Sequence, residues 1–247
     1  MLTIKGKSDL PQILFIHGGG VASWMWDDVL PFLEEHYQCI LVDLPYHGNH
    51  ESYDDIFTIE SYAPKIFQML EPLRNSQPIA VVGFSIGAQI ALELMSLKPQ
   101  YFTFAMINSA LCKPIVLPTT ILELSIKLSM PLTRLKSFAK LQAKPLYIPA
   151  HLFEKYFKQS QAITSSQLIE ILKTNMSYKS KENLQHCLTS TLITYGEQEK
   201  KAIIDSADEL ASMLPNSEVY MISRLGHGYP FAFPKLFAKA ILSRFPH

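Results

Sequence analysis

The sequence predicts an α/β protein: a doubly wound, mostly parallel sheet of about six strands with an inserted helical cap. Short apolar runs alternate with segments of helical periodicity, the order typical of strands joined by crossover helices. The strand-like runs are nearly all apolar, as in sheets that are covered on both faces. Between residues 110 and 186 strand signals nearly vanish and helical spacings replace them.

The domain organisation follows from that break in pattern. Residues 1–109 and 187–247 are predicted to form one α/β core, and residues 110–186 the helical cap inserted into it. A chain of 247 residues fits one core with an insertion better than two independent domains. Since 48% of the residues are hydrophobic and only 18% charged, the chain can bury a sizeable core.

The first predicted strand, residues 13–16, is an apolar run that ends at His17 and three consecutive glycines. Glycines directly after a buried strand let the backbone approach a ligand closely, and their N–H groups can face an anion. A plain tight turn is the alternative. Asp27 and Asp28 then predict the start of a helix that runs to Leu33, since acidic side chains are favourable at a helix N-terminus.

The second predicted strand, residues 38–43, is followed by a turn-rich loop that contains His47 and His50. Two histidines so close together could be metal ligands. No cysteine or carboxylate pair lies at ligand spacing around them, so we interpret them as structural loop residues. A helix is predicted after this loop, over residues 59–73.

The third predicted strand leads directly into the sequence Gly-Phe-Ser-Ile-Gly at residues 83–87, and then into a helix-forming run. A strand that turns sharply into a helix at Gly-x-Ser-x-Gly is a nucleophile elbow. A Cβ at Gly83 or Gly87 would clash there, and Ser85 is expected in a strained conformation that lifts Oγ clear of the sheet. The alternative is a serine that merely caps the helix, which the strand before it makes less favourable.

The rest of the chain continues the same alternation. Further strands are predicted at residues 102–107, 189–195 and 218–222, and further core helices at 201–213 and 234–245. Within the cap, apolar stripes at helical spacing predict helices near residues 132–139, 152–157 and 168–176. Ser165 or Ser166 is the expected N-cap of the last of these.

Charge and cysteine content narrow the function classes. The 22 Lys and Arg balance the 22 Asp and Glu, so no global charge favours a nucleic-acid partner. Three widely spaced cysteines, at positions 39, 112 and 187, suit a reducing compartment rather than a disulfide framework. The N-terminus has charges where a signal peptide needs an apolar stretch. The sequence contains no run of about 18 apolar residues, so no transmembrane helix is predicted. We therefore expect a cytoplasmic protein.

Three residues with complementary chemistry follow predicted strands. A hydrolytic serine needs a base to take its proton, an acid to orient that base, and donors for the oxyanion. Ser85 is the candidate nucleophile, His227 the base and Glu199 the acid. Because the carboxyl ends of parallel strands meet at one edge of the sheet, we expect the three side chains to lie close together. The backbone N–H groups of Ile86 and Gly19 are the candidate oxyanion donors.

The acid is the member of this set with competing candidates. Glu197, Asp205 and Asp208 lie close to Glu199 in the sequence. Glu199 is preferred because both aspartates are expected inside the following helix, one and two turns from its start.

These motifs and their order resemble the α/β-hydrolase superfamily, in the branch with a His-Gly oxyanion loop and a helical cap. The resemblance rests on His-Gly-Gly-Gly at 17–20, Asp-Leu-Pro-Tyr-His-Gly at 43–48, Gly-Phe-Ser-Ile-Gly at 83–87, Gly-Glu-Gln-Glu at 196–199 and Gly-His-Gly at 226–228. It implies a serine hydrolase without a cofactor that acts on a small-molecule ester, thioester or related carbonyl compound. The usual acid of the family is Asp, where this chain has Glu199. With about eleven residues before the first core strand, we expect the family's leading hairpin to be missing or reduced, and six parallel strands.

Three functions fit the resemblance. The first is hydrolysis of a carboxylic ester or thioester through an acyl-enzyme with a Ser-His-Glu triad. The second is carbon–carbon bond hydrolysis or a lyase step. Relatives in the menaquinone pathway carry an Arg soon after the elbow, which Ala88 and Gln89 do not supply. The third is a ligand-binding role without catalysis, against which the intact Ser85 and His227 argue.

The predicted cap has an unusual charge. Residues 113–181 contain eleven Lys and Arg but three acidic residues, a net charge of +8, while the rest of the chain carries −8. A solvated outer helix face is one interpretation. The other is a surface for an acidic partner: an acyl carrier, a CoA tail or an anionic membrane.

Overall fold

The computed structural model describes residues 2–50, 53–116 and 118–246. In these residues a seven-stranded sheet forms the centre, in the order β1-β3-β2-β4-β5-β6-β7. The strands are β1 Leu2–Lys5, β2 Gln12–Ile16, β3 Gln38–Val42, β4 Ile79–Phe84, β5 Phe104–Asn108, β6 Ser190–Gly196 and β7 Ser217–Ile222.

The predicted fold class is confirmed, with one strand more than the expected six. The additional strand is β1, which pairs antiparallel with β3 at the edge of the sheet, while every other neighbouring pair of strands is parallel. Its first two residues are half-buried and its last two exposed. A four-residue edge strand of this kind contains no buried apolar run, so the sequence pattern gave no signal for it.

The α-helices of the described chain are α1 Ile59–Leu70, α2 Ile86–Leu97, α3 Thr119–Ser129, α4 Lys136–Ala143, α5 Phe153–Ala162, α6 Ser165–Ser177, α7 Lys201–Met213, α8 Tyr229–Ala232 and α9 Pro234–Leu242. Short 3-10 turns connect several of them. No described helix is both long enough and apolar enough to cross a lipid bilayer.

The helices bury both faces of the central strands of the sheet. Alternate residues of β2 point to opposite sides: Leu14 joins an apolar cluster with α1, α2 and α7, and Phe15 joins a second cluster with α9. Every residue of β2, β3, β4 and β5 is buried, which explains their continuous apolar runs.

The predicted helix from Asp27 to Leu33 is wrong. The chain forms two 3-10 turns instead, Ser23–Trp26 and Leu30–Phe32. Pro31 has no backbone N–H, so it cannot give the i to i−4 hydrogen bond that an α-helix needs at this point.

Between β5 and β6 the described chain contains the helices α3 to α6 and no strand, in agreement with the helical spacings of the sequence. The N-cap of α6 is Thr164 rather than Ser165 or Ser166. Its hydroxyl accepts the backbone N–H of Gln167, and the Gln167 side chain accepts the N–H of Thr164 in return. This reciprocal capping box satisfies two donors that the helix itself leaves unpaired.

The parallel register aligns the strand ends that carry the sequence motifs. Gly83 of β4 lies opposite Ile16 of β2 on one side and Ile107 of β5 on the other. The ends of β6 and β7 follow in the same direction, with Gly196 opposite Ile222. Open parallel sheets bind their ligands at this edge.

Candidate active site

The elbow has the strained geometry that its sequence predicts. Ser85 joins β4 to α2 with φ 56° and ψ −119°, a conformation that residues other than glycine rarely adopt. A Cβ at Gly83 would collide with the carbonyl oxygen of Gly87, and one at Gly87 with the carbonyl of Ile16. Only glycines at these two positions let strand and helix approach so closely, and the approach leaves Ser85 at the N-terminus of α2.

His227 and Glu199 form a hydrogen-bonded pair at the cavity. Nδ1 of His227 lies 3.0 and 3.1 Å from the two carboxylate oxygens of Glu199. The Glu199 side chain is 2% exposed, whereas that of His227 is 29% exposed. A carboxylate only accepts, so Nδ1 donates the proton of this hydrogen bond, and Nε2 is the nitrogen left to act as a base. The ring can therefore accept a proton on the side away from Glu199.

The competing carboxylates lie elsewhere. Glu197 accepts the backbone N–H of Arg224 at 2.7 Å. Asp205 lies inside α7 and pairs with Lys201, one turn earlier on the same helix. Asp208 is also inside α7. Of the four carboxylates considered from the sequence, Glu199 is the one that the structure brings to His227.

Ser85, Glu199 and His227 line one cavity of about 1220 Å³. Its walls come from the sheet edge and from the helical segment between β5 and β6. Six large apolar side chains line it: Leu111, Ile115, Leu141, Leu172, Met176 and Ile203. Lys144 and Lys200 also border it. The three predicted residues therefore face a common space large enough for an organic substrate.

The two predicted oxyanion donors lie next to each other. Ile86 is the first residue of α2, and the N–H of a first helical residue has no acceptor within its own helix. A Cβ placed on Gly19 would lie 3.9 Å from Cγ2 of Ile86. The Gly19 loop therefore lies beside the start of α2, the helix N-terminus that follows Ser85 and that favours negative charge.

Two buried histidines connect the loop after β2 to the loop after β3. His17 donates from Nδ1 to the carbonyl of Gly18 at 2.7 Å, and its Nε2 accepts the N–H of Leu44 at 3.0 Å. His47 donates from Nδ1 to the carbonyl two residues before it, and its Nε2 accepts the N–H of Gly20 at 3.0 Å. The two ring centroids are 5.0 Å apart.

Both rings are held in the neutral form. Burial lowers the pKa of His17 from 6.5 to about 4. Burial, reinforced by the neighbouring His17, lowers the pKa of His47 to about 3. A proton on either Nε2 would remove the acceptor of a backbone N–H, so the hydrogen bonds also require neutral rings.

Asp43 organises the loop that follows β3. Burial by itself would raise the pKa of its carboxyl group, but the backbone N–H groups of Asn49 and Ser23 donate to it at 3.0 and 2.9 Å and lower the pKa below its usual value. The loop passes so close that a Cβ on Gly48, which has φ 56°, would collide with the carboxylate. His50 donates to the Asp43 carbonyl at 3.2 Å. No group of three potential metal ligands occurs in the described chain.

The helical segment is attached to this same loop by two polar side chains. Gln159 of α5 accepts the N–H of Gly48 at 2.8 Å and donates to the carbonyl of Tyr46 at 3.2 Å. Glu170 of α6 accepts the hydroxyl of Tyr46 at 2.9 Å. The loop after β3 therefore holds α5 and α6 against the core through these hydrogen bonds.

Tyr147 is a site residue that sequence reasoning missed. It lines the cavity, and its hydroxyl accepts the N–H of Gly226 at 3.0 Å, directly before His227. Its backbone is left-handed, with φ 58°. Neither the positive φ nor a contact across 79 residues leaves a local pattern, so no sequence signal could have found it.

The doubly wound sheet, the strained serine elbow and the buried Glu–His pair together define a hydrolase built on an α/β core. A sequence model described as the alpha/beta hydrolase family matches residues 13–240. The chain therefore belongs to the α/β hydrolase family.

Individual relatives agree with this assignment. Human monoacylglycerol lipase ABHD6 is 26% identical over 258 residues, which cover 94% of this chain and 74% of the relative. The uncharacterized hydrolase YugF of Bacillus subtilis is 24% identical over 243 residues, 93% of this chain and 88% of that protein. The crystal structure of a hydrolase from Pseudomonas aeruginosa PA01 superposes with a TM-score of 0.82 at 17% identity, over 100% of this chain and 94% of that one. This last likeness concerns the fold alone.

Proposed function

We propose that this enzyme is a serine hydrolase that cleaves a carboxylic ester or thioester through an acyl-enzyme. Ser85 is the nucleophile, His227 the general base and Glu199 the acid of a Ser-His-Glu triad. The observation that carries the proposal is the pairing of a buried Glu199 with His227 at the wall of the cavity that Ser85 also faces.

In the first half of the reaction, Nε2 of His227 takes the proton from Oγ of Ser85 while Oγ attacks the acyl carbon. The carbonyl oxygen becomes an oxyanion, which accepts hydrogen bonds from the N–H groups of Ile86 and Gly19. The protonated His227 then gives its proton to the leaving oxygen or sulfur, and the acyl group stays on Ser85.

In the second half, water replaces the leaving group. Nε2 of His227 takes a proton from the water, whose oxygen attacks the acyl carbon, and the proton is returned to Oγ as the acid departs. Glu199 does not itself change protonation. It holds Nδ1–H, fixes the tautomer that presents Nε2 to Ser85, and stabilises the imidazolium that forms.

The cavity supports an acyl group with a large apolar part. Its volume of about 1220 Å³ lies above the usual range for small-molecule sites, and six apolar side chains line it. One relative is named a monoacylglycerol lipase, which supports the same class of ester. The segment 110–186 acts as the cap of this site, because its residues form one wall of the cavity and Gln159 and Glu170 seat it on the core.

The test compares wild type with Ser85→Ala on aryl esters of rising chain length and on acyl-CoA thioesters. We expect Ser85→Ala to lower kcat by several orders of magnitude, since triad residues act as a unit with losses on the scale of about 10⁶. Fluorophosphonate should label wild type and leave Ser85→Ala unlabelled.

Ser109→Ala is the matched control. Ser109 also lines the cavity and also has φ 56°. It therefore resembles Ser85 in location and backbone strain, but it does not lie in a Gly-x-Ser-x-Gly sequence. It should keep its label and its turnover. If Ser85→Ala retained more than about a tenth of wild-type kcat, the assignment of the nucleophile would be wrong.

A further inference from the structure

Helix α3 has two apolar faces, and the core covers one of them. Leu122 and Ile126 are buried. Ile121, Leu124 and Leu128 are 57%, 60% and 70% exposed. At about 100° per residue these three lie within about 60° of one another, on the side away from the buried pair. Three large aliphatic side chains on one solvent-facing stripe are unusual for a helix that packs against a core.

The exposed apolar surface continues along the chain after α3. Leu132 lies within the next 3-10 turn, Met130–Arg134, Leu135 follows that turn directly and Leu141 lies on α4, with 42%, 53% and 67% of their surface exposed. We define the exposed leucine face as the six residues Ile121, Leu124, Leu128, Leu132, Leu135 and Leu141. An exposed apolar surface of this kind marks an interaction site.

The same segment is strongly basic. Residues 119–144 contain five Lys and Arg and one acidic residue, Glu123, which pairs with Lys173 of α6. Within the described chain no ion pair involves Lys127, Arg134, Lys140 or Lys144. The leucines are thus interleaved with positively charged side chains, four of which form no ion pair in the described chain.

The exposed leucine face reaches the mouth of the cavity. Leu141 belongs to the face and also lines the cavity, while Ile115, 38% exposed, borders both solvent and cavity. Lys144 lies at the same rim. An apolar molecule released from a lipid surface that contacts this face could therefore enter the cavity along a path of aliphatic side chains.

We propose that the exposed leucine face docks on an anionic phospholipid surface and delivers a lipid ester from it to the cavity. Aliphatic side chains enter the boundary between headgroups and acyl chains, and adjacent Lys and Arg pair with anionic headgroups. The delivery step rests on the proposed hydrolase function, whereas docking itself does not require Ser85.

A second copy of the chain is a poorer occupant. A two-fold interface would place this basic segment against itself, and its partner would cover Leu141 at the cavity mouth. An acidic carrier protein would satisfy the charges. The six exposed aliphatic side chains, however, extend over three successive elements, and an apolar phase accommodates such a surface better than a polar protein does.

The test measures co-sedimentation of the full chain with vesicles of phosphatidylcholine and phosphatidylserine in equal parts, and with vesicles of phosphatidylcholine alone. Wild type should bind the mixed vesicles, lose binding in high salt, and bind the neutral vesicles at least about tenfold less. The double variant Leu124→Gln with Leu128→Gln should bind the mixed vesicles at least about tenfold more weakly. Leu141 is not substituted because it lines the cavity.

Matched controls use equally exposed residues outside the face. Leu188 and Ile56 are 65% and 76% exposed, and Leu188→Gln with Ile56→Gln should bind as wild type does. For the charges, Lys127→Glu with Arg134→Glu should abolish binding. The same change at Lys235 and Lys239, exposed on α9, should not.

Each contrary outcome overturns the docking proposal. The proposal fails if the leucine variant and its control bind mixed vesicles equally, or if neutral vesicles bind as well as mixed ones. It also fails if the leucine variant instead breaks a wild-type dimer in sedimentation, or weakens turnover of an acyl-carrier thioester while vesicle binding stays unchanged.

Two measurements separate this proposal from the proposed function. Ser85→Ala should bind the vesicles as tightly as wild type, so loss of catalysis leaves docking measurable. Leu124→Gln with Leu128→Gln should hydrolyse a short, water-soluble aryl ester at the wild-type rate but lose activity on a long-chain ester presented in mixed vesicles. Inactivity of wild type on every ester with vesicle binding intact would contradict the hydrolase function alone.

Discussion

Two pairs of loops flank Ser85, and each contains a histidine next to glycine. We call residues 17–20 with 43–50 the neutral loop pair, and residues 196–199 with 226–228 the charged loop pair. Since β2 adjoins β4 on one side and β5 with β6 and β7 follow on the other, the two pairs approach the elbow from opposite directions. They perform different tasks with the same residue type.

The difference lies in what the imidazole nitrogens contact. In the neutral loop pair, both nitrogens of His47 bond to the backbone and the ring is buried, with its pKa lowered to about 3. In the charged loop pair, His227 bonds a carboxylate through Nδ1 and keeps 29% of its side chain exposed at the cavity. A ring whose two nitrogens both hydrogen-bond to the backbone stabilises the loops, whereas a ring with one nitrogen left without such a bond can transfer a proton.

The largest expected effect tests the charged loop pair. Glu199→Gln should lower kcat roughly 10³- to 10⁴-fold, about 4–5.5 kcal/mol in transition-state stabilisation, because an amide can donate to Nδ1 and so favour the wrong tautomer of His227. Steady-state kinetics on an aryl ester measure the change.

Asp205→Asn is the matched control for this prediction, since Asp205 pairs with Lys201 on the surface of α7. It should keep nearly full activity. Should Asp205→Asn cripple the enzyme while Glu199→Gln does not, the acid of the site has been assigned to the wrong residue.

The roles of residues in the charged loop pair are easier to predict from the sequence than those in the neutral loop pair. Glu199 and His227 follow apolar runs and lie beside glycines, so local pattern placed both at one sheet edge. The roles of His17, His47 and Asp43 depend on contacts between separate loops, which one sequence does not display. His47 and His50 were interpreted as structural, and their hydrogen bonds agree with that reading.

The fold shows the same division between local and non-local information. Buried strands such as β4 and helix α7 were predicted within a few residues, because burial on both faces or one amphipathic stripe is written in the local sequence. Strand β1 was not predicted, because a short, partly exposed edge strand has neither a buried apolar run nor an amphipathic stripe. The choice of Thr164 over Ser165 as N-cap depends on φ and ψ, which neighbouring hydroxyl residues do not distinguish.

The second prediction concerns acid stability and belongs to the neutral loop pair. The folded pKa values of about 4 for His17 and about 3 for His47 lie below the unfolded value of 6.5. The unfolded chain therefore binds more protons below pH 6.5, and stability falls as the pH is lowered through that value. Between about pH 7 and pH 5 each ring should cost about 2 kcal/mol, roughly 4 kcal/mol for the two.

Urea unfolding across this pH range measures the effect. His47→Phe removes one titrating ring and should lessen the loss of unfolding free energy between pH 7 and pH 5 by about 2 kcal/mol, whereas His186→Gln, at an exposed position, should not change it. A slope that is identical in wild type and His47→Phe would mean that this buried ring is not the source of the acid sensitivity.

The third prediction measures what His47 contributes at neutral pH. His47→Phe keeps a ring of similar size but leaves the N–H of Gly20 without its acceptor. Because Gly20 is only half-buried, the expected loss is about 1 kcal/mol in unfolding free energy at pH 7, the net contribution of one hydrogen bond. Because Gly20 follows Gly19, kcat should also fall, though far less than in Glu199→Gln. An unchanged stability would contradict the role of His47 as a brace between the two loops.

Tyr147 stabilises the charged loop pair through a single hydrogen bond, so its substitution should have a small effect. Its hydroxyl accepts the N–H of Gly226, but Tyr147 is 36% exposed, so water can replace the hydroxyl in Tyr147→Phe. The expected cost is about 0.5–1 kcal/mol, seen as a two- to fivefold fall in kcat with KM nearly unchanged. Tyr147→Leu also removes part of the cavity wall and should in addition raise KM for long-chain esters. Tyr220→Phe, exposed on β7, is the control and should match wild type in both constants. A kcat in Tyr147→Phe equal to that of wild type would show that the charged loop pair is held by Glu199 and its own backbone, without help from the helical segment.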